Sequence, residues 1–191
     1  LMLIWQQTYA VLMTSSTMHS ASLELLPPPM LKIYHHADTL KDTSNCQENR
    51  ILVVNRDCLE AVQFCQCHSH TKVAVLSMSS PAKPGGYVKQ GKNSQEEDLF
   101  RRTDLCRHAA RFSKTGDGYP LSEGGFVVLE YTGVTIIRGP AEEGYPFLSD
   151  TSDPITVLAT AVDRQPQRTE DGKSYRGDSD YDMTMHIRVL L

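Results

Sequence analysis

The chain has 191 residues, a length that supports one domain with a sizeable core and leaves little room for a second. Hydrophobic residues make up 40% of it and charged residues 22%, which excludes an intrinsically disordered composition. The formal net charge is −4, so the chain lacks the broad positive surface of a protein that binds nucleic-acid backbones directly. We therefore expect any anionic ligand to be held locally, by backbone N–H groups or a few placed cations.

The cysteine count and the residues near the chain ends indicate the cellular location of the protein. Five cysteines are an odd number and do not form the dense disulfide framework of a small secreted domain, so we expect an intracellular location, cytoplasmic or nuclear. Residues 1–13 are too short and too polar in places to cross a bilayer, and they lack the basic start of a signal peptide, so no membrane partner is expected. The start at Leu1 and the apolar run at 189–191 suggest a fragment of a longer reading frame.

In the first half of the chain, helices alternate with short apolar strands. The predicted elements are a helix at residues 1–26, a loop at 34–50, a buried strand at 51–54, a helix that begins after Asp57, and a second buried strand at 72–76. The first helix ends before the prolines at 27–29, because proline lacks an N–H group and clashes with the preceding turn. Asp57 is a residue type that caps helices. The apolar side of the helix after it is expected to contain Leu59, Val62 and Phe64.

The second half begins with a long loop that is rich in Gly, Pro, Ser and Lys. The predicted elements are this loop at residues 79–94, a helix at 95–112, strands at 126–131 and 134–138 joined by a turn at 132–133, a loop at 139–154, a strand at 155–162, a polar segment at 164–180 and a helix from 183. The apolar side of the helix at 95–112 consists of Leu99, Leu105, Cys106 and Ala109. Strands and helices in this order indicate an α/β sandwich.

The segment at residues 84–99 carries the clearest chemistry, because it follows an apolar strand and opens a helix. Gly85 and Gly86 allow the backbone to adopt positive φ and to approach a ligand closely. A helix N-terminus offers free N–H donors and favours negative charge. Two adjacent carboxylates there, Glu96 and Glu97, fit sugar chemistry. Hydrolysis of a glycosidic bond needs a carboxylic acid that protonates the leaving oxygen and a carboxylate that activates water.

A structural interpretation accounts for part of the same segment. Residues 94–97, Ser-Gln-Glu-Glu, fit a capping box, in which the Glu97 carboxylate folds back on the Ser94 N–H group. Such boxes are common at helix starts, and a lone Gly-Gly pair most often marks a turn. These residues alone therefore favour the cap over catalysis.

A wider pattern favours catalysis. Residues 85–87, Gly-Gly-Tyr, followed after seven residues by Gln-Glu-Glu at 95–97, resemble the glycine-triplet signature of poly(ADP-ribose) glycohydrolases. The chain is similar to the microbial branch in order and spacing from about residue 50 to its C-terminus, whereas residues 1–45 match weakly. The segments that carry the resemblance are 53–61, 73–86, 95–105, 119–121, 133–140, 143–148 and 155–166.

The resemblance implies a macrodomain-like fold, a three-layer α/β/α sandwich with a mixed central sheet. Residues 1–45 would form an N-terminal helical extension, and residues 46–191 an incomplete glycohydrolase domain. The family has further strands and a second glycine-rich loop, which cradles the diphosphate, after the equivalent of residues 183–191. We therefore expect the chain to be C-terminally truncated, with the late strands and that loop missing.

The resemblance also implies an enzyme that cuts ribose–ribose O-glycosidic bonds and releases ADP-ribose from poly(ADP-ribose) on modified proteins, with no cofactor or metal. Glu97 would protonate the departing ribose oxygen and then activate water. Glu96 would hold hydroxyl groups of the ribose being cleaved, and Gln95 would fix the loop. A proton on Glu97 near working pH requires a raised pKa, which burial of the pocket would supply.

Other loop residues would contact the ligand in this scheme. Gly85 and Gly86 would let the backbone run beside it, and Ser79 and Ser80 would contact the same ribose. Tyr87 departs from the family, which has a third glycine there. If that position needs positive φ, the tyrosine is strained. If the loop is merely crowded, its ring is left to stack on a sugar or base.

Residues 65–70, Cys-Gln-Cys-His-Ser-His, contain four side chains that zinc accepts. They lie within six residues, whereas a tetrahedral site usually draws on two separated pairs, so we do not expect a metal site there.

Two other functions stay open. The fold could recognise ADP-ribose without turnover, if Tyr87 and the truncated end have ended catalysis. The chain could also be an inactive fragment with exposed sheet edges. The intact Gln-Glu-Glu at residues 95–97 favours the enzyme.

Overall fold

The described part of the chain contains four α-helices, two short 3-10 helices and four strands. A computed structural model describes residues 1–14, 30–35, 52–69, 72–113, 119–121, 127–150, 153–161 and 169–170. The helices are α1 (Met2–Thr14), α2 (Cys58–Ser69), α3 (Gln95–Arg102) and α4 (Leu105–Ser113). The strands are β1 (Met30–His35), β2 (Ala74–Met78), β3 (Val127–Val134) and β4 (Ile155–Thr160). The helix predicted from residue 183 lies outside these ranges. Within them, no helix combines the length and the apolar character needed to span a bilayer.

The four strands form one mixed sheet in the order β1-β3-β4-β2. β3 pairs antiparallel with both β1 and β4, and β2 pairs parallel with β4. Side chains of β4 alternate between buried and half-buried, and the buried Ile155, Val157 and Ala159 join Leu99 and Leu105 of the helices in one core. A mixed sheet packed with helices confirms the predicted α/β class.

The turn predicted at residues 132–133 is wrong, because β3 runs through this region as one strand. The register between β3 and β4 shifts at Gly133, whose φ of 83° is left-handed. The glycine therefore marks a β-bulge within a strand and not a hairpin. In the separate strand predicted at residues 134–138, Val134 is instead the last residue of β3, and Ile136 and Arg138 form isolated bridges.

The strand predicted at residues 51–54 is also wrong for residues 52–54, and residue 51 lies outside the described residues. Residues 52–54 are exposed, Val53 by 90%, and they pair with no strand in the described ranges. A short apolar run has no period that distinguishes a strand from other structure, so this prediction had little physical support. A strand forms instead at 30–35, as β1, and overlaps the start of the loop predicted at 34–50.

The helix predicted at residues 95–112 is broken into α3 and α4. The N–H group and the hydroxyl of Thr103 both donate to the carbonyl of Leu99, at 3.0 and 2.7 Å, where α3 ends. The Asp104 N–H donates to the Thr135 carbonyl at 3.0 Å, and the Asp104 carboxylate accepts the Thr135 N–H at 2.7 Å. This exchange ties the helix break to the segment after β3. The predicted apolar side is confirmed as buried, and it consists of Leu99, Leu105, Cys106 and Ala109.

Asp57 caps α2 as predicted, because its Oδ1 accepts the Leu59 N–H at 3.0 Å. The same oxygen accepts a 2.7 Å hydrogen bond from the buried Arg102 guanidinium, which also pairs with Asp98 at 3.2 Å. Asp57 therefore joins the start of α2 to the end of α3. Leu59 is buried as predicted, but Phe64 is exposed, so the apolar side of α2 is narrower than expected.

Helix α1 packs against the rest of the chain through buried contacts. Trp5 and Leu12 belong to the core. The Thr8 hydroxyl donates to the Arg101 carbonyl at 2.9 Å and accepts a 2.8 Å hydrogen bond from Arg138 Nε. The domain boundary after residue 45 stays a prediction. Both α1 and β1 precede it, and both contact elements that follow it.

Asp57→Ala is expected to lower the free energy of unfolding by about 2–4 kcal/mol, because it removes a helix cap and one carboxylate from the buried Arg102. Asp57→Asn should lower the free energy of unfolding by a smaller amount, since an amide oxygen still caps α2 and only the charge is lost. Urea denaturation measures both, with the exposed Glu142→Gln as a control expected within about 0.5 kcal/mol of wild type. If Asp57→Ala is as stable as wild type, neither the cap of α2 nor the contact with Arg102 contributes to stability.

Candidate active site

Residues 79–94, here called the glycine loop, join β2 to α3, in agreement with the predicted loop. Gly85 and Gly86 have left-handed φ values of 73° and 50°, which would strain a residue with a side chain. A 3-10 turn at Val88–Gln90 follows, and Gly91 ends it with a φ of 78°. This path directs backbone N–H groups of the loop toward the first turn of α3.

Glu96 lies in that first turn and is 3% exposed. Its two carboxylate oxygens accept hydrogen bonds from the glycine loop. Oε2 accepts the Ser80 N–H at 2.8 Å, and Oε1 accepts the Gly85 N–H at 2.9 Å. Glu96 therefore holds the loop at two points, and its proposed contact with ribose hydroxyls stays a prediction.

Glu97 is 2% exposed and also faces the glycine loop. Its Oε1 accepts the Tyr87 N–H at 3.0 Å, and its Oε2 accepts a short hydrogen bond from the Ser94 hydroxyl. Ser94 occupies the N-cap position of α3, but its side chain makes no capping hydrogen bond to the helix backbone. The Glu97 carboxylate thus faces the loop, the alternative capping box does not form, and contact of Glu97 with a sugar stays a prediction.

Gly86 lies directly against both carboxylates. A Cβ on Gly86 would stand 2.7 Å from Glu97 Oε1 and 2.9 Å from Glu96 Oε2, closer than such atoms approach in proteins. Gly85 packs in another direction, because a Cβ there would stand 2.8 Å from the Phe100 ring. Both glycines are therefore required by space as well as by φ.

The two carboxylates have opposite pKa shifts. Burial raises the pKa of Glu96 to about 7, against the effect of its two N–H hydrogen bonds, and the neighbouring Glu97 charge adds to the rise. Burial alone would raise the pKa of Glu97 as well. The Ser94 hydroxyl, the Tyr87 N–H group and the Lys92 ammonium outweigh that effect, so the pKa of Glu97 lies below its usual range. The expectation that burial would raise the pKa of Glu97 is wrong, and of the two carboxyl groups Glu96 is the one that holds a proton more readily.

Tyr87, which replaces the third glycine of the triplet, is unstrained. Its φ is −110°, in the range that any residue adopts. Tyr87 is 48% exposed, and two ammonium groups lie near its ring, with Lys83 Nζ at 4.8 Å and Lys92 Nζ at 5.3 Å from the ring centroid. Of the two alternatives for Tyr87, strain is wrong, and stacking on a ligand stays a prediction.

The other predicted site residues, Gln95, Ser79 and Ser80, lie where the glycine loop meets β2 and α3. The Gln95 amide covers the outer edge of β2: its Nε2 donates to the Leu76 carbonyl at 2.9 Å, and its Oε1 accepts the Met78 N–H at 3.2 Å. Ser79 is buried and Ser80 is half-buried, at the point where β2 becomes the loop. Gln95 thus fixes the entry to the loop, while ligand contacts of all three residues stay predictions.

Two tyrosines that the sequence did not single out as site residues approach Glu96. Burial raises the pKa of Tyr119 and of Tyr131, and the Glu96 charge raises both further. Tyr119 is also hydrogen-bonded to the Ser79 side chain. Both phenols are neutral at neutral pH and can donate hydrogen bonds near the carboxylate. The sequence held one signal for Tyr119, its place in the family-like segment at 119–121, and none for the role of Tyr131.

Residues 65–69 of the cysteine–histidine segment form the end of α2. Cys67 and His68 are exposed there, and His68 Nδ1 is hydrogen-bonded to the Phe64 carbonyl at 2.8 Å. His70 lies outside the described residues. Among those that the structure describes, no group of three or more His, Cys, Asp or Glu side chains is arranged to hold a metal ion.

The sequence match to a known family covers the glycine loop and both carboxylates. The family model described as microbial-type PARG, catalytic domain, matches residues 10–119, which is more than half of the chain. Comparison with curated proteins gave no match.

Two solved structures are similar to the chain in fold. One is poly(ADP-ribose) glycohydrolase from Thermomonospora curvata bound to the inhibitor ADP-HPD. It is 17% identical, and the match covers 99% of this chain and 72% of that chain with a TM-score of 0.68. The other is poly(ADP-ribose) glycohydrolase from the same organism, at 19% identity, with 84% of this chain and 63% of that chain covered and a TM-score of 0.59. At these identities the similarity concerns the fold, and it confirms the predicted macrodomain-like architecture.

Gly86→Ala is expected to displace both carboxylates, because the added Cβ would stand within 2.9 Å of each. Gly144 offers a matched control, since its φ is 80° but a Cβ there would meet nothing within 4 Å. We expect the free energy of unfolding to fall by about 3 kcal/mol in Gly86→Ala and by about 1 kcal/mol in Gly144→Ala. Urea denaturation measures both, and equal losses would show that the close approach at Gly86 adds nothing.

The pKa of Glu96, raised by burial from 4.5 to about 7, predicts a fall in stability as pH rises through that window. Between these values the folded protein keeps a proton that the unfolded chain has lost, so the contribution is complete below 4.5 and lost above 7. Between pH 4.5 and about 7, we expect the unfolding free energy of Glu96→Gln to fall less than that of wild type, by at most about 3 kcal/mol. Urea unfolding of wild type and Glu96→Gln at several pH values measures this difference. The histidines are the same in both proteins, so their contributions cancel. An identical pH dependence in the two proteins would contradict the raised pKa.

Proposed function

Because the chain belongs to the family of microbial-type PARG catalytic domains, we propose that it hydrolyses ribose–ribose O-glycosidic bonds in poly(ADP-ribose) and releases ADP-ribose. One observation carries the proposal: the adjacent buried carboxylates of Glu96 and Glu97 lie against the backbone of Gly86 at a helix start. Carboxyl groups beside a sugar are the machinery that glycosidic hydrolysis uses. The similar structure from Thermomonospora curvata holds the inhibitor ADP-HPD, and the ligands proposed for this chain are ADP-ribose and its polymer.

Glu97 is the acid and then the base of the proposed reaction. Its proton passes to the bridging oxygen as the bond between that oxygen and the anomeric carbon breaks, and the neighbouring ribose leaves as an alcohol. Water attacks the oxocarbenium-like carbon and gives a proton to the Glu97 carboxylate. The products are ADP-ribose and a polymer one unit shorter, and Glu97 regains its proton.

The proton must first reach Glu97, whose pKa is low, from a pair in which Glu96 has a pKa of about 7. A ribose that displaces the Ser94 hydroxyl removes a hydrogen bond that holds the pKa of Glu97 low, so this pKa rises. Ribose hydroxyls that donate to Glu96 favour its charged form. Binding therefore favours transfer of a proton from Glu96 to Glu97, and the two groups titrate as one unit.

The proposed ligand is anionic, and the site holds local cations although the chain has a net charge of −4. Lys83 and Lys92 flank the exposed Tyr87 ring, so a stacking face and two ammonium groups lie together on the glycine loop. We assign Tyr87 to contact with a ribose or base. An intracellular location is part of the proposal, and it is supported by Cys58, Cys67 and Cys106, which form no disulfide.

A second function, recognition of ADP-ribose without turnover, is favoured by one observation. The low pKa of Glu97 leaves this carboxylate ionised at neutral pH, and an ionised carboxylate cannot protonate a leaving oxygen. The two functions differ in whether binding returns a proton to Glu97. Tyr87 does not favour the second function, because its backbone is unstrained.

Glu97→Gln is expected to reduce the release of ADP-ribose from a poly(ADP-ribosyl)ated protein by at least about a hundredfold, because an amide cannot act as the acid. The amide oxygen can still accept the Tyr87 N–H, so the thermal midpoint should stay close to that of wild type. Chromatography of the released ADP-ribose measures turnover. Wild-type turnover in Glu97→Gln would refute the role of Glu97 as the acid.

The exposed carboxylate variant Glu142→Gln is the control and should keep full turnover. Calorimetry with ADP-ribose separates the two functions. Binding by wild type without release from the polymer would establish recognition alone and refute hydrolysis.

A further inference from the structure

A groove lies between α1 and the glycine loop, on the side away from the carboxylates. Its volume is about 280 Å³, close to the lower end of the range for small-molecule pockets. Trp5 and Tyr9 of α1, Phe100 of α3 and Ala109 of α4 line it, together with residues of the loop. The proposed hydrolysis leaves this groove without a role.

The lining combines aromatic rings with positive charge. The Trp5 and Tyr9 ring centroids lie 5.4 Å apart, and Tyr9 is 44% exposed, so much of its ring is accessible. Lys83 and Lys89 line the groove as well, and no carboxylate among the described residues does. Aromatic faces stack on bases, and ammonium groups neutralise phosphates. The chemistry of the groove therefore fits an adenine nucleotide.

The backbone at Gly86 separates the groove from the carboxylates. Gly86 lines the groove, whereas the direction in which its Cβ would point leads to Glu96 and Glu97. Lys83, a second lining residue, stands 4.8 Å from the centroid of the exposed Tyr87 ring, so the positive rim continues along the loop. A ligand with its scissile bond at the carboxylates can thus continue across the loop into the groove.

We propose that the groove is a second nucleotide subsite, which binds the adenine nucleotide of the ADP-ribosyl unit next to the one being released. This assignment rests on the proposed function, because it takes poly(ADP-ribose) as the substrate. Each unit of the polymer carries one adenine nucleotide, so a unit held at the carboxylates keeps its neighbour at high effective concentration beside the groove. Contacts with that neighbour strengthen binding of the polymer and do not affect a substrate without a second nucleotide.

The test uses the double variant Tyr9→Ala/Lys89→Ala, which removes one ring and one ammonium group from the groove. The KM for poly(ADP-ribose) is expected to rise roughly five- to tenfold at unchanged kcat. For an aryl glycoside of ADP-ribose, which carries a phenol in place of the second unit, kcat/KM should stay at the wild-type value. Lys72→Ala, an exposed lysine at the opposite end of β2, is the charge-matched control and should keep the wild-type KM.

An unchanged KM for the polymer in the double variant overturns the subsite. An equal loss of kcat/KM on the aryl glycoside also overturns the subsite, because the double variant then disturbs the fold or the carboxylates. If wild type cleaves neither substrate, the proposed hydrolysis fails, and calorimetry decides on the subsite separately. A dimer of ADP-ribose must then bind wild type more tightly than ADP-ribose does, and the double variant must lose that preference.

Free AMP distinguishes a polymer subsite from a site for a soluble nucleotide. The proposal expects AMP to bind wild type much more weakly than the ADP-ribose dimer does, since AMP lacks the tether to the neighbouring unit. AMP binding as tight as that of the dimer, and abolished in the double variant, would assign the groove to a free nucleotide and overturn the polymer subsite.

Discussion

Two neighbouring carboxylates buried at one helix start are the constraint on which the rest of the structure depends. A buried carboxylate costs free energy unless hydrogen bonds replace its water, and a second negative charge beside it adds to that cost. The glycine loop meets both demands with backbone N–H groups. Ser80 and Gly85 donate to Glu96, and Tyr87 donates to Glu97. N–H groups reach the carboxylates only if the loop passes at contact distance, and such a path leaves no space for a side chain between them.

The scaffold holds α3 at both ends, and this is what keeps the carboxylates in register with the loop. The helix has only 8 residues, so a small rotation would move both carboxylates off their donors. Gln95 fixes its first residue to the edge of β2, and Arg102 fixes its last residue to the Asp57 cap of α2. The chain then turns sharply at Thr103, and a continued helix would have replaced the two hydrogen bonds that the Asp104 N–H group and carboxylate make with Thr135 after β3.

Sequence reasoning predicted features that depend on a few neighbouring residues. The Asp57 cap, the apolar β4 strand and the loop that opens a helix are of this kind. The bulge at Gly133 and the helix break at Thr103 depend instead on pairing with segments distant in sequence, which local patterns do not contain. Residues 52–54 are exposed although apolar, because a short apolar run does not by itself specify a strand partner. The low pKa of Glu97 also depends on the fold, because burial alone would raise it and the donors that lower it come from a loop.

Tyr87 shows what the loop requires at the third position of the glycine triplet. The requirement is an N–H group directed at Glu97, and every residue except proline supplies one at the unstrained φ of −110°. A side chain is therefore tolerated at Tyr87 and excluded at Gly86, where it would meet both carboxylates. The inner face of the loop is fixed by the carboxylate pair, while its outer face, with Lys83 and Lys92 around the tyrosine ring, is free to vary. The departure from the triplet thus changes what the loop presents to a ligand and leaves the carboxylate pair in place.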